Sequence, residues 1–210
     1  MDKKEHWENV YHKHQLTDVS WYEPVPETSL SIIRRFKLPE DAAIIDVGGG
    51  DSLLVDYLLL LGYTDITVLD ISSAAIEKAK ARLGEQAKDV RWIVSDVLDF
   101  GNGNSKKYDL WHDRATFHFL TDATDQQAYL DIAHRSLQQN AYLVLSTFSV
   151  DGPEKCSGLS VQQYSEGSLS AMLNTYFEKI KCITKMHITP LHAIQSFLYC
   201  SFRNKALQAV

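Results

Sequence analysis

Asp46-Val47-Gly48-Gly49-Gly50-Asp51-Ser52 is the stretch that most constrains what this chain can fold into. It extends the apolar run Ala43-Ile44-Ile45, and a second apolar run, Ile66-Thr67-Val68-Leu69, closes on Asp70. An apolar run ending in glycines reads as a buried strand and a tight turn, because glycine reaches positive φ and lets a ligand approach the backbone. The helix expected next, Leu53 to Leu61, presents free N–H groups at its start. An acid at the end of the second strand can accept both ribose hydroxyls of an adenosine. Together these features describe a nucleoside cofactor lying across the ends of neighbouring strands. Alone, a triple glycine is a strand–helix connector; Asp70 and, after a third strand, Asp96 give it meaning.

The rest of the chain alternates in the same way. Val90 to Val94 reads as a third strand, Tyr108 to Trp111 as a fourth and Tyr142 to Phe148 as a fifth. Helical patterns cover Ala74 to Leu83, Asp122 to Gln138 and Ser165 to Tyr176. Phe177 to Ile188 and Ile194 to Phe202 are β-rich and suit a closing antiparallel pair. Such alternation implies an α/β fold with a mostly parallel sheet covered on both faces. One domain over residues 1–210 is expected, with residues 1–38 as a helical cap.

The glycine turn also discriminates between cofactors. A dinucleotide fingerprint needs a third glycine where Leu53 stands, and Asp51 would repel a pyrophosphate. The acids Asp46, Asp51 and Asp96 suit a cofactor with a cationic amino-acid tail, and S-adenosylmethionine carries an ammonium and a sulfonium. Asp46 has a second reading, as a partner of the glycine turn only. Here the chain resembles the class I S-adenosylmethionine-dependent methyltransferases. Asp46, Gly48 and Gly50 match their acid-and-glycine motif, with Ser52 in place of a last glycine. Val68-Leu69-Asp70-Ile71, Ser95-Asp96-Val97 and Tyr108-Asp109-Leu110-Trp111-His112-Asp113-Arg114 match three further motifs in order. The resemblance implies a three-layer Rossmann-like sheet of seven strands in the order 3-2-1-4-5-7-6, strand 7 antiparallel. It implies a cofactor site of Trp21, Asp46, Gly48, Gly49, Gly50, Ser52, Asp70, Ile71, Asp96, Val97 and Asp113.

Methyl transfer from a sulfonium needs positioning and desolvation more than acid–base help. Trp7 and Tyr11 fall one helical turn apart, and with Tyr22 they are candidate substrate contacts. The aromatic N-terminus resembles that of thiopurine and thiol methyltransferases; its other reading is a staple for an added helix. Arg114 is a candidate carboxylate clamp, or a structural partner of Asp113 or Asp122. His118 is the candidate proton acceptor, or else a core-edge histidine. The loop Ser149 to Leu159 lies where an acceptor lid would be, and Cys156 within it reads as incidental. No histidine pair has metal-ligand spacing, so no metal is expected.

Composition narrows the partners. With 21 Lys+Arg against 27 Asp+Glu the net charge is −6, which disfavours nucleic acid and a polybasic membrane anchor. The N-terminus lacks an apolar leader-like run. The three cysteines show no CxxC spacing and indicate no disulfide framework, which points to a reduced, cytoplasmic protein. A monomer or weak homodimer acting on a small-molecule acceptor is the expectation. The alternatives are protein lysine methylation, a non-catalytic cofactor-binding module and, disfavoured by Leu53 and Asp51, nicotinamide chemistry.

Overall fold

The computed structural model describes residues 2–101 and 103–206; Met1, Asn102 and residues 207–210 lie outside the described residues. Seven strands form one sheet: β1 Ala43–Val47, β2 Asp65–Asp70, β3 Val90–Val94, β4 Tyr108–Arg114, β5 Leu137–Phe148, β6 Phe177–Ile188 and β7 Ile194–Asn204. Their order is β3-β2-β1-β4-β5-β7-β6. Strands β1 to β5 run parallel, while β7 pairs antiparallel with both β5 and β6. Order and polarity are those the resemblance implies. The chain leaves β1 toward β2 on one side and reaches β4 on the other, so a crevice opens beyond the carboxyl end of β1.

Both faces of the sheet are covered, which is why the central strands read as continuous apolar runs. In β1, Ile45 and Val47 point into a core with Phe100, Trp111, Tyr129 and Leu169. Ile44 points into the opposite core with Leu30, Ile33, Leu58 and Ile76. Helices α2 Glu27–Phe36, α3 Leu54–Leu60 and α4 Ser73–Leu83 cover that second face; α5 Val97–Phe100, α6 Ala123–Ser136 and α7 Glu166–Leu173 cover the first. Their starts follow local chemistry: Ser72, Asp96, Asp122 and Ser165 each accept a backbone N–H of the first turn.

Two expectations change. Strand β4 continues past Trp111 to Arg114, because its pairing with β5 runs to Arg114↔Ser146. Cys182 and Cys200 face each other across β6 and β7 and are joined by a disulfide. That pairing depends on strand register, which cysteine spacing does not reveal. It removes the ground on which a reducing compartment was expected. Cys156 is a buried free thiol in a small hairpin, Lys155–Cys156 with Leu159–Ser160. No helix among the described residues is long and apolar enough to cross a membrane.

Candidate active site

The glycine turn leaves β1 with Gly48 at φ 63° and Gly50 at φ 51°, while Gly48 N–H donates to Leu69 O at 2.7 Å. Neighbours press on it from three sides. A Cβ on Gly48 would overlap the Thr116 side chain. One on Gly49 would sit 2.6 Å from Asp46 Oδ2. One on Gly50 would run into the Tyr11 hydroxyl and lie 3.2 Å from Asp70 Oδ2.

Two cavities meet at this turn. The larger runs from Asp96 and Val97 past Asp70 and Ile71 to Gly48, and ends in a chamber of Trp21, Arg114, Phe119, Phe148, Phe197 and Cys156. The helix α1 Lys3–Lys13 contributes Lys3, Trp7 and Tyr11 to its wall. The smaller holds Tyr22, Asp46, Gly49, Ser52 and His112, with Tyr11, Trp21, Gly48 and Arg114 shared between the two. Tyr22, a candidate substrate contact, therefore lies with Asp46 and Ser52 and not in the aromatic chamber. Gly50 lines neither cavity; it lies beneath Tyr11.

The acids differ in their engagements. Burial, reinforced by Asp51, pushes Asp70 up to about 7 although Ser72 N–H donates to it at 2.8 Å. Asp46 is held by His112 Nδ1 at 2.7 Å, and His112 Nε2 meets Ser29 Oγ at 2.9 Å. Asp51 is buried with Oδ1 unpartnered. Asp96 caps α5 and still faces the larger cavity. Asp113 faces away from both cavities. It accepts from Thr116 N–H at 2.9 Å and from Tyr129 OH at 2.5 Å, and burial raises it to about 6. Its carboxylate fixes the turn after β4, so its expected contact with a cofactor is corrected to a positioning one.

Arg114 and His118 separate in the same way. Arg114 donates from Nε to Tyr199 OH at 3.0 Å and from Nη1 to Trp21 O at 2.9 Å, and Nη2 lies 3.3 Å from Glu23. Its partners are Glu23, Tyr199 and Trp21, not Asp113 or Asp122. His118 is fully buried and lines neither cavity. Its Nδ1 accepts Phe148 N–H at 3.2 Å, and burial with nearby Arg114 holds its pKa down at about 3. A ring so placed is neutral and sealed, so the expectation of a proton acceptor is overturned. On these values the imidazole stays unprotonated down to about pH 4, and histidine nitrogen shifts that stay constant between mildly alkaline and mildly acidic pH will check this. Among the described residues, no cluster of three metal-ligating side chains occurs.

Glu8 on α1 has no signal in the sequence. Its carboxylate takes Ser73 N–H and Oγ–H, both at 2.7 Å, with Ala74 N–H and Ser72 Oγ at 3.0 Å. Burial would raise it, but these donors outweigh that and hold it near 2. The helix start of α4 thus fastens α1 across the crevice. A cluster of Trp7, Tyr11, Trp21 and Phe119, with ring centroids 5.1–6.3 Å apart, packs under it.

Residues 45–143 match a family model described as a methyltransferase domain. Over that segment the chain carries a methyltransferase domain. This chain is 32% identical over 106 residues to malonyl-[acyl-carrier protein] O-methyltransferase 1 of Ilyobacter polytropus, covering 50% of this chain and 37% of that one. It is 21% identical over 158 residues to human EEF1A lysine methyltransferase 2, covering 69% of this chain and 66% of that one. It thus spans less than two thirds of either curated relative. In fold it is similar to a SAM-dependent methyltransferase from Anabaena variabilis, with TM-score 0.75, 14% identity, and 98% and 96% of the two chains covered. The site fits S-adenosylmethionine. The glycine turn gives close backbone approach, and Asp70 keeps an oxygen beside Gly50 for a ribose hydroxyl. Asp51, whose Oδ1 is unpartnered, lines neither cavity.

Proposed function

We propose that this methyltransferase moves the methyl group of S-adenosylmethionine to a small-molecule acceptor. The observation that carries the reading is the roofed aromatic chamber at the end of the larger cavity, beside Gly48 and under α1. Bound there, the cofactor supplies a methyl group on a sulfonium that leaves as a neutral thioether. Asp70 takes the ribose hydroxyls, with Ile71 beside them. Asp96 and Val97 flank the adenine. The backbone of Gly48 and Gly49 borders the amino-acid tail, with Asp46, Ser52 and Tyr22 in the smaller cavity. Trp21 turns an aromatic face toward the cation. Residues 1–38 act as the cap of the 1–210 domain, α1 excluding water so that the transfer runs in a desolvated space. A net charge of −6 disfavours a nucleic-acid acceptor. Calorimetry with S-adenosylhomocysteine tests the reading: micromolar binding is expected, and no binding at millimolar concentration overturns it.

A lysine side chain is the second reading, supported by the likeness to EEF1A lysine methyltransferase 2. It requires α1 to open. Methylation of lysine peptides by the intact protein, with none of small molecules, would establish it.

The clasp at Glu8 yields a separate prediction. Glu8→Gln removes the charge that holds four donors. Adenosylhomocysteine dissociation is expected to quicken about tenfold, the size of one or two charge-assisted hydrogen bonds, with the melting temperature little changed. Stopped-flow fluorescence of Trp7 and Trp21 will measure it, and an unchanged rate would show that α1 does not gate the site.

A further inference from the structure

The geometry points to Gln195 as the residue that selects the acceptor, and to a planar aromatic anion bearing a neighbouring O–H or N–H as the class it admits, an inference that rests on the methyl-transfer reading above. Gln195 is the second residue of β7, two before Phe197 and therefore on the same side of the strand. It lines the larger cavity and is only 9% exposed, yet its buried Oε1 has no hydrogen-bond partner. A buried acceptor without a donor is costly, and native interiors seldom keep one. A ligand donor in the chamber removes that cost.

The opposite polarity comes from Arg114. Its guanidinium lies 4.9 Å above the Phe197 ring, and two of its nitrogens are committed to Tyr199 and Trp21. Nη2 is buried and, though 3.3 Å from Glu23, makes no well-directed hydrogen bond. The chamber therefore presents one unpaired acceptor, and one buried donor engaged only by the Glu23 ion pair, among the rings of Trp21, Phe119, Phe148 and Phe197. Aromatic walls suit a flat ligand, and the two polar groups suit an edge that donates at one position and accepts at the next.

An inventory of bases then fixes the protonation state of the acceptor. His118 is sealed against Phe148 N–H. His187 donates from Nε2 to Ser20 O at 2.7 Å and lines neither cavity. Glu23 is paired with Arg114. Cys156 keeps its proton because burial raises it. No side chain of the chamber is free to take a proton from the acceptor. An oxygen or sulfur acceptor, which reacts only once its proton is gone, must therefore arrive as an anion, held by Arg114 Nη2. A lone pair of that anion forms the new bond to the methyl carbon as the carbon–sulfonium bond breaks. The broken pair passes to sulfur, both charges vanish and no proton moves. Charge-annihilating transfer of this kind is the type that a dry, apolar chamber favours.

The test uses the intact protein saturated with S-adenosylhomocysteine and two coloured phenols of similar acidity, 4-nitrocatechol and 4-nitrophenol. Both are yellow as anions, and only the first keeps an O–H beside its ionised oxygen. 4-Nitrocatechol is expected to bind as the yellow anion about tenfold more tightly than 4-nitrophenol, one buried hydrogen bond's worth. Gln195→Leu is expected to abolish that preference while its affinity for S-adenosylhomocysteine stays as in the wild type, which also shows the variant to be folded. Equal affinities in the wild-type protein, a preference that survives in Gln195→Leu, a colourless bound form, or binding of neither phenol each overturn the inference. Failure of S-adenosylhomocysteine itself to bind overturns the methyl-transfer reading instead.

Discussion

Asp70→Asn will weaken S-adenosylhomocysteine binding about 100-fold at mildly alkaline pH, because a carboxylate accepting two hydroxyls makes charge-assisted hydrogen bonds that an amide cannot match. The same change will stabilise the protein without its ligand. Burial pushes Asp70 up to about 7, so near neutrality the empty site holds a carboxylate half-persuaded to protonate. A group whose folded pKa is raised stabilises the fold below its unfolded value and loses that contribution as pH rises through the folded one. The asparagine variant is therefore expected to match the wild type in acid. It should exceed it by on the order of 3 kcal/mol at about pH 8. Asp113 acts in the same direction through its value of about 6. His118, held down at about 3, acts in the opposite one and loses stability as pH falls. The difference between wild type and variant isolates Asp70 from both. Wild-type affinity for S-adenosylhomocysteine should improve as pH rises toward 7 and then level off, while the variant shows no such rise. A variant that binds as tightly as wild type, or that melts lower at every pH, would place the ribose elsewhere.

How far the sequence carried the argument follows from the range of each interaction. The glycine turn, Asp70 and Asp96 are legible because strand, turn and helix start are made by neighbours in the chain. The sheet order came only with the family resemblance that those motifs carry. What was not legible depends on distant partners. Trp7 and Tyr11 read as an aromatic pair, but Glu8 between them carries no signal until α4 is set beside α1. His118 looks like a base by residue type; only the return of β5, whose Phe148 N–H meets its ring, shows that it is sealed. Asp113 looks like a strand-end ligand, yet Tyr129 on α6 claims it. Cys182 and Cys200 are joined by register across a hairpin. Gln195 sits in a β-rich run where nothing marks it, and only the path of β7 past Phe148 brings it to the chamber.

Gly48→Ala tests the turn on which the rest depends. Two separate costs meet at this position. With φ at 63°, any side chain is strained by about 1–2 kcal/mol. The added Cβ would also overlap Thr116 Oγ1 and lie 2.9 Å from Thr116 Cβ. Thr116 cannot simply swing away, since its hydroxyl donates to Val47 O at 3.2 Å and its N–H is held by Asp113 at 2.9 Å. The carboxyl ends of β1 and β4 must therefore part, and they are the strand ends between which the cofactor has to lie. The expected cost is about 3 kcal/mol or more, with loss of detectable S-adenosylhomocysteine binding. Thr116→Gly in the same chain removes the overlap and leaves the backbone strain. The double variant should recover about half of the lost stability relative to the sum of the single changes, a coupling that chemical denaturation resolves. Affinity should return only in part, because Thr116 also lines the cavity. If Gly48→Ala alone melts with the wild type and binds S-adenosylhomocysteine unchanged, the close approach of backbone to cofactor at this turn is not what the site requires.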